Sequence, residues 1–116
     1  MYQSRLQHIA AYWDNTVAKF PNAPAAISDG RTHSYLELDG QISRLAAYLR
    51  DFVGVGRGDR VAIALPNCLE CITAYWAALR LGAIVAPVNI RLRDEELAFV
   101  LHNIAPKAVL VHSETP

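Results

Sequence analysis

Cysteine is scarce in this chain, and the two that occur, Cys68 and Cys71, stand too close together to staple a domain of 116 residues. A disulfide framework is excluded, which agrees with a reducing compartment. An excess of charge of either sign is also missing: eleven Lys and Arg balance eleven Asp and Glu. Nothing here provides an electrostatic footprint for nucleic acid or an anionic membrane. No apolar run approaches the roughly 18 residues of a transmembrane segment, and Met1 to His8 lacks the apolar stretch of a leader. A cytoplasmic protein is expected. Internal repeats, low-complexity tracts and linkers are absent too, so residues 1–116 are expected to form one domain. A chain of this length can bury somewhat over about 60% of its unfolded surface.

What is present is an α/β pattern. Val61-Ala-Ile-Ala-Leu65, Ala83-Ile-Val-Ala86 and Ala108-Val-Leu-Val111 are short apolar runs without alternation, as in parallel strands covered on both faces by helices. The spacing of Leu6, Ile9, Trp13, Val17 and Phe20 predicts a helix from Tyr2 to about Lys19 with an apolar core face, ended by Pro21. Asp29-Gly30 between two short runs predicts a β-hairpin. Ser34-Tyr-Leu-Glu37 matches a capping box opening a helix near Tyr35, with Leu38, Ile42, Leu45, Leu49 and Phe52 inward and an end near Gly54. A third helix from about Cys68 to Leu81 presents Ile72, Tyr75, Trp76 and Leu79 and stops at Gly82. A fourth, from about Arg93, buries Leu97, Val100, Leu101 and Ile104 and stops before Pro106. The whole reads as an N-terminal helix and hairpin, then a helix and a parallel βαβαβ unit with right-handed crossovers.

Few residues point to chemistry. Gly54-Val-Gly56-Arg-Gly58 follows a helix and opens a strand, the reverse of a dinucleotide loop, which must follow a strand and open a helix; turn chemistry is the expectation. Cys68-Leu-Glu-Cys71 does lie between a strand and a helix start, where thiol pKa values can fall. Both cysteines also share an apolar stripe, and a pair lacking two further ligands makes no zinc site. A structural role is favoured, with a thiol redox protein as the rival. His8, His33, His102 and His112 are scattered, with no nucleophile elbow, carboxylate pair or metal-ligand cluster beside them. They are read as structural or solvated, and no metal is assigned. Arg91 and Arg93 follow the end of a parallel strand, where open α/β sheets bind ligands, and a guanidinium there could meet a phosphate.

Thr32-His-Ser-Tyr-Leu-Glu-Leu38 with its long helix, Gly56-Arg-Gly-Asp-Arg-Val-Ala62, Leu65-Pro-Asn67, Leu79-Arg-Leu-Gly-Ala-Ile-Val-Ala-Pro-Val-Asn-Ile-Arg-Leu92, Glu96-Leu97 and Pro106-Lys107 occur in that order. Together, from about Leu6 onward, they resemble the N-terminal region of AMP-forming acyl-CoA synthetases, members of the adenylate-forming enzyme superfamily. The resemblance implies a partial N-terminal subdomain of an acid–CoA ligase, which uses ATP and Mg to form an acyl-adenylate and then coenzyme A to form a thioester. The family's phosphate loop, magnesium-binding glutamate and catalytic C-terminal domain have no counterpart before Pro116. It therefore implies no catalytic residue here, an inactive fragment that binds no cofactor strongly, and the remainder of the ligase chain as partner, with a carboxylic acid as substrate. The arginine of Asn-x-Arg-Leu, which in such ligases can lie near the nucleotide phosphate of coenzyme A, corresponds to Arg91, with Arg93 a lesser neighbour. Asn89, where amino-acid-activating relatives commonly have Asp, implies a fatty or aromatic acid. A non-catalytic, dimerising interaction module of the same fold is the alternative.

Overall fold

The computed structural model describes residues 2–66 and 68–111, without the side chains of residues 2–9, so Leu6, His8, Ile9, Asn67 and His112 lie outside the described side chains. Helix α1 (Tyr2–Lys19) leads into strands β1 (Pro24–Ser28) and β2 (Arg31–Ser34). These pair antiparallel, and Asp29 (φ 52°) with Gly30 (φ 75°) forms the turn, both in the left-handed region that a two-residue hairpin requires. Helix α2 (Tyr35–Tyr48) starts where the Ser34 hydroxyl accepts the Glu37 N–H at 3.1 Å. The Glu37 carboxylate accepts from Arg31 at 3.1 Å, so it serves the hairpin as well as the helix.

The second sheet contains β3 (Arg60–Ala64), β4 (Ile84–Pro87) and β5 (Ala108–Val111), all parallel, in the order β4-β3-β5. Helix α3 (Leu69–Arg80) connects β3 to β4, and α4 (Asp94–Ile104) connects β4 to β5. Alternate residues of β3 supply two cores. Val61 and Ile63 join Leu38, Ile42, Leu49, Ala74, Ala77 and Ala78 beneath α2 and α3, whereas Ala62 and Ala64 face Val88, Leu97, Val100, Leu101 and Ile104 beneath α4. Expected coverage on both faces thus holds for the central strand. At the edges it is incomplete, with Ile84 49% and Val111 58% exposed.

Three helix faces differ from expectation. On α2 the stripe holds through Leu49, but a π-helical turn over Leu49–Val53 follows. Its wider pitch shifts the phase by about one residue, so Val53 packs on the core and Phe52 is 81% exposed, stacked on Tyr48 at 5.5 Å. On α3 the deepest residues are the small ones, Thr73, Ala74, Ala77 and Ala78, while Tyr75 and Trp76 flank them and Ile72 faces outward. Close approach of a helix to its neighbours needs small side chains at the contact, which an argument from bulk overlooks. On α4 the four anticipated residues do point inward but are only half-buried.

Helix α1 is held by its indole. Trp13 is buried, stacks on Trp76 at 5.1 Å and donates to Asp39 at 3.0 Å, while Phe20, expected on the same face, is exposed. Arg80, from the last turn of α3, donates to Asp39 at 2.7 Å, Asp14 at 3.2 Å and Ser43 at 2.8 Å. One guanidinium fork thereby ties α1, α2 and α3. Replacing Arg80 by Ala should destabilise the chain by about 2 kcal/mol, because two carboxylates lose their shared charged donor; a urea midpoint equal to the parent's would refute that clamp. Helix α4 ends with Ala105 at φ 49°, a left-handed position that glycine occupies without the Cβ clash. Ala105→Gly should therefore stabilise by about 0.5–1 kcal/mol in the same titration, despite the added chain entropy.

Candidate functional site

Since the three strands are parallel, their carboxyl ends share one side of the sheet: Leu65 and Pro66 after β3, residues 88–93 after β4, and Val111 at the end of β5. Binding sites of open α/β sheets occur outside such ends. In the segment after β4, the Asn89 side-chain oxygen accepts the Arg91 N–H at 2.9 Å, and the Asn89 carbonyl accepts the Leu92 N–H at 3.3 Å. The side-chain bond is an Asx turn, and it sets Arg91 at the loop's apex with its side chain exposed. Arg93 is the N-cap residue of α4 in extended conformation (φ −67°, ψ 158°) and is also exposed.

Neither guanidinium has a hydrogen-bond or ion-pair partner among the described residues. The acids nearest in sequence, Asp94, Glu95 and Glu96, occupy the first turn of α4 and offset the positive end of its dipole. An anion at this edge would therefore be held by guanidinium donors rather than by the helix terminus. Beside them lies a shallow cavity of about 340 Å³ lined by Leu92, Glu95, Glu96, Phe99 and Val100. This groove was missed in the sequence. Its only signal was Phe99 on the outer face of a helix whose stripe is already complete without it.

The glycine cluster lies at the opposite, amino end of β3. Gly54 (φ 81°) terminates the π-helical turn, the Gly56 N–H donates to Asp59 at 2.8 Å, and Gly58 (φ 83°) donates to the Gly82 carbonyl at 3.0 Å. Turn chemistry accounts for all three. His33 is buried with Nδ1 3.5 Å from the Glu37 carboxylate, and His102 is exposed on α4. No three His, Cys, Asp or Glu side chains converge on a metal site among the described residues.

Comparison with known proteins places these features in context. The family model described as AMP-binding enzyme matches residues 13–116. The crotonobetaine/carnitine–CoA ligase of Escherichia fergusonii is 36% identical over 102 residues, 84% of this chain. The chain spans only 20% of that relative's length. Among solved structures, a long-chain-fatty-acid CoA ligase of Rhodopseudomonas palustris superposes with a TM-score of 0.84 at 38% identity, covering 91% of this chain and 27% of the other. The N-terminal subdomain of Klebsiella oxytoca NpsA, bound to 3-hydroxyanthranilyl-AMSN, superposes with a TM-score of 0.82 at 29% identity, covering 89% of this chain and 26% of that one.

The two thiols bear on the rival redox chemistry. Cys68 and Cys71 are free and half-buried. Burial pushes both above the ordinary thiol value, and Glu70 adds to the rise at Cys68, against the backbone N–H groups of Cys71 and Glu70 that pull it down. A fast catalytic thiol requires the opposite shift. Because the folded values are raised, the associated stability is complete below the unfolded-chain pKa and is lost as pH rises through the folded value. Iodoacetamide at pH near 8 should thus label both cysteines more slowly in the folded chain than in urea; equal rates, followed by peptide mass analysis, would contradict the shift.

Proposed function

The chain belongs to the AMP-binding enzyme family, and from this we propose that it is the N-terminal part of an ATP-dependent acid–CoA ligase, forming one partial domain over residues 1–116. The observation that carries the proposal is the match over residues 13–116, joined to an exposed arginine pair at the carboxyl edge of the parallel sheet. In the parent enzyme the acid becomes an acyl-adenylate, with ATP as the adenylyl donor, and coenzyme A then takes the acyl group as a thioester. The described residues do not fit ATP or Mg: the glycines serve turns, and the carboxylates that meet, Asp14 and Asp39, are taken by Arg80. Those groups are assigned to the remainder of the ligase chain, so this part is scaffold and bears no catalytic residue.

Arg91 is proposed to hold a phosphate of coenzyme A, with Arg93 beside it. A planar guanidinium donates two parallel hydrogen bonds to a phosphate, and Arg91 is presented at a loop apex with no competing partner among the described residues. The likeness to a long-chain-fatty-acid CoA ligase and the residue Asn89 support a fatty or aromatic acid as the substrate. No described helix is long and apolar enough to cross a membrane, and a cytoplasmic enzyme of fatty acid metabolism is the proposed setting.

A second reading rests on the exposed Ile84, Phe99 and Val111, which leave apolar surface on both sheet edges and on α4. Such surface favours self-association, and a homodimerising module without chemistry would use it. Light scattering after size exclusion separates the cases: a monomer at high concentration removes the module. For the main proposal, the 116-residue chain should support no ATP–pyrophosphate exchange with any carboxylic acid, and sustained exchange by purified material would overturn it. In the full-length ligase, Arg91→Ala should raise the KM for coenzyme A about tenfold, the worth of one charge-assisted contact, with adenylate formation unchanged. An unaltered thioester step would remove Arg91 from the site.

A further inference from the structure

Cys68 and Cys71 take no part in the proposed ligase chemistry, yet they occupy a special pair of positions. Cys68 is the N-cap residue of α3 in extended conformation (φ −148°, ψ 171°), and Cys71 is the third residue of the helix. These two positions are the ones whose side chains reach across the first turn in a capping box. The Cys71 N–H donates to the Cys68 carbonyl at 3.1 Å, closing a four-residue turn. Residues joined in this way have Cα atoms less than about 7 Å apart, within reach of the roughly 4.4–6.8 Å that a disulfide spans. The Cys68 side chain makes no cap hydrogen bond, and both thiols are free.

We propose that Cys68 and Cys71 close a reversible disulfide within the first turn of α3 when they meet an external small-molecule disulfide. In the first step the Cys68 thiolate attacks a sulfur of the oxidant, here glutathione disulfide, and expels one glutathione thiolate. Cys71 then gives up its proton, attacks the Cys68 sulfur of the mixed disulfide and expels the second glutathione thiolate. Two protein thiols are oxidised, one glutathione disulfide is reduced to two glutathiones, and the two protein protons pass to the departing thiolates. Burial makes both thiols slow nucleophiles, so the turn geometry governs the position of the equilibrium rather than its speed. The bridge forms on the same side of the sheet as Arg91 and Arg93. This inference does not depend on the ligase reading.

The test equilibrates the full chain in glutathione redox buffers, quenches with acid, alkylates, and measures intact mass in the folded state and in urea. Folded chain should lose both thiol hydrogens as a monomer, recover them with dithiothreitol, and keep its circular dichroism. Ring closure should occur at a glutathione ratio at least about tenfold more reducing than in urea, because the folded turn holds the sulfurs together. Cys68→Ser retains a good N-cap residue and must abolish the ring, and Cys71→Ser must stop at the mixed disulfide on Cys68. Mixed disulfides or intact thiols in the folded parent would overturn the proposal, as would a bridge that forms equally well in urea or that costs the helical signal.

Discussion

The double pairing of β3 is the constraint on which the remaining structure depends. It alone in its sheet is hydrogen-bonded on both edges, to β4 and β5, and its alternate residues enter different cores. Val61 and Ile63 are fully buried, and each contributes on the order of 1.5–3 kcal/mol by leaving water. Small Ala62 and Ala64 on the other face let α4 and Val88 approach. Because the helices on each side pack on β3, a one-residue shift of its register would turn both cores inside out at once.

Against this strand the first layer is assembled by contrast of size and charge. Ala74, Ala77 and Ala78 leave room for α2 to lie close, and the bulky side chains are displaced to the flanks, where Trp76 stacks on Trp13. At the periphery of the same layer Arg80 gathers Asp14, Asp39 and Ser43. Only about a quarter of its side chain is exposed, so the ion pair with Asp39 is less screened than an open surface pair. Direction then comes from polar geometry, and tight fit from small residues. The α4 layer rests on Ala62 and Ala64 and is tied at its end by the Arg60 guanidinium, which donates to the Ile104 carbonyl at 2.8 Å, while its own contact residues stay half-buried.

The carboxyl edge of the sheet is the consequence. Parallel strands deliver their loops to one side, and the Asx turn at Asn89 lifts Arg91 clear of its neighbours. The acidic first turn of α4 leaves the two guanidinium groups as the cationic donors of that segment. On the opposite side the glycines bend the chain tightly into β3, and a Cβ at Gly82 would come to 3.3 Å from Arg57 Cγ, closer than ordinary contact.

Local chemistry made much of this legible in the sequence. The hairpin followed from Asp29-Gly30, the start of α2 from Ser34, and the ends of the helical segments from Gly54, Gly82 and Pro106, since each acts through its own backbone. The position of Arg91 after a strand end was legible for the same reason, as was its membership of a motif. Phe52 was misplaced because a single π-helical turn changes phase without a sequence mark. The α3 face was misplaced because contact depth depends on what the neighbours can accommodate. Phe20 and the partial burial of α4 depend on how much surface other elements cover. By itself, then, the sequence determined where elements begin and end and which family pattern they follow, because turns and caps are short-range. Tertiary structure alone decided how deeply each face is buried, that Arg80 joins three helices, and that the groove beside Arg91 exists, because those are properties of distant segments brought together.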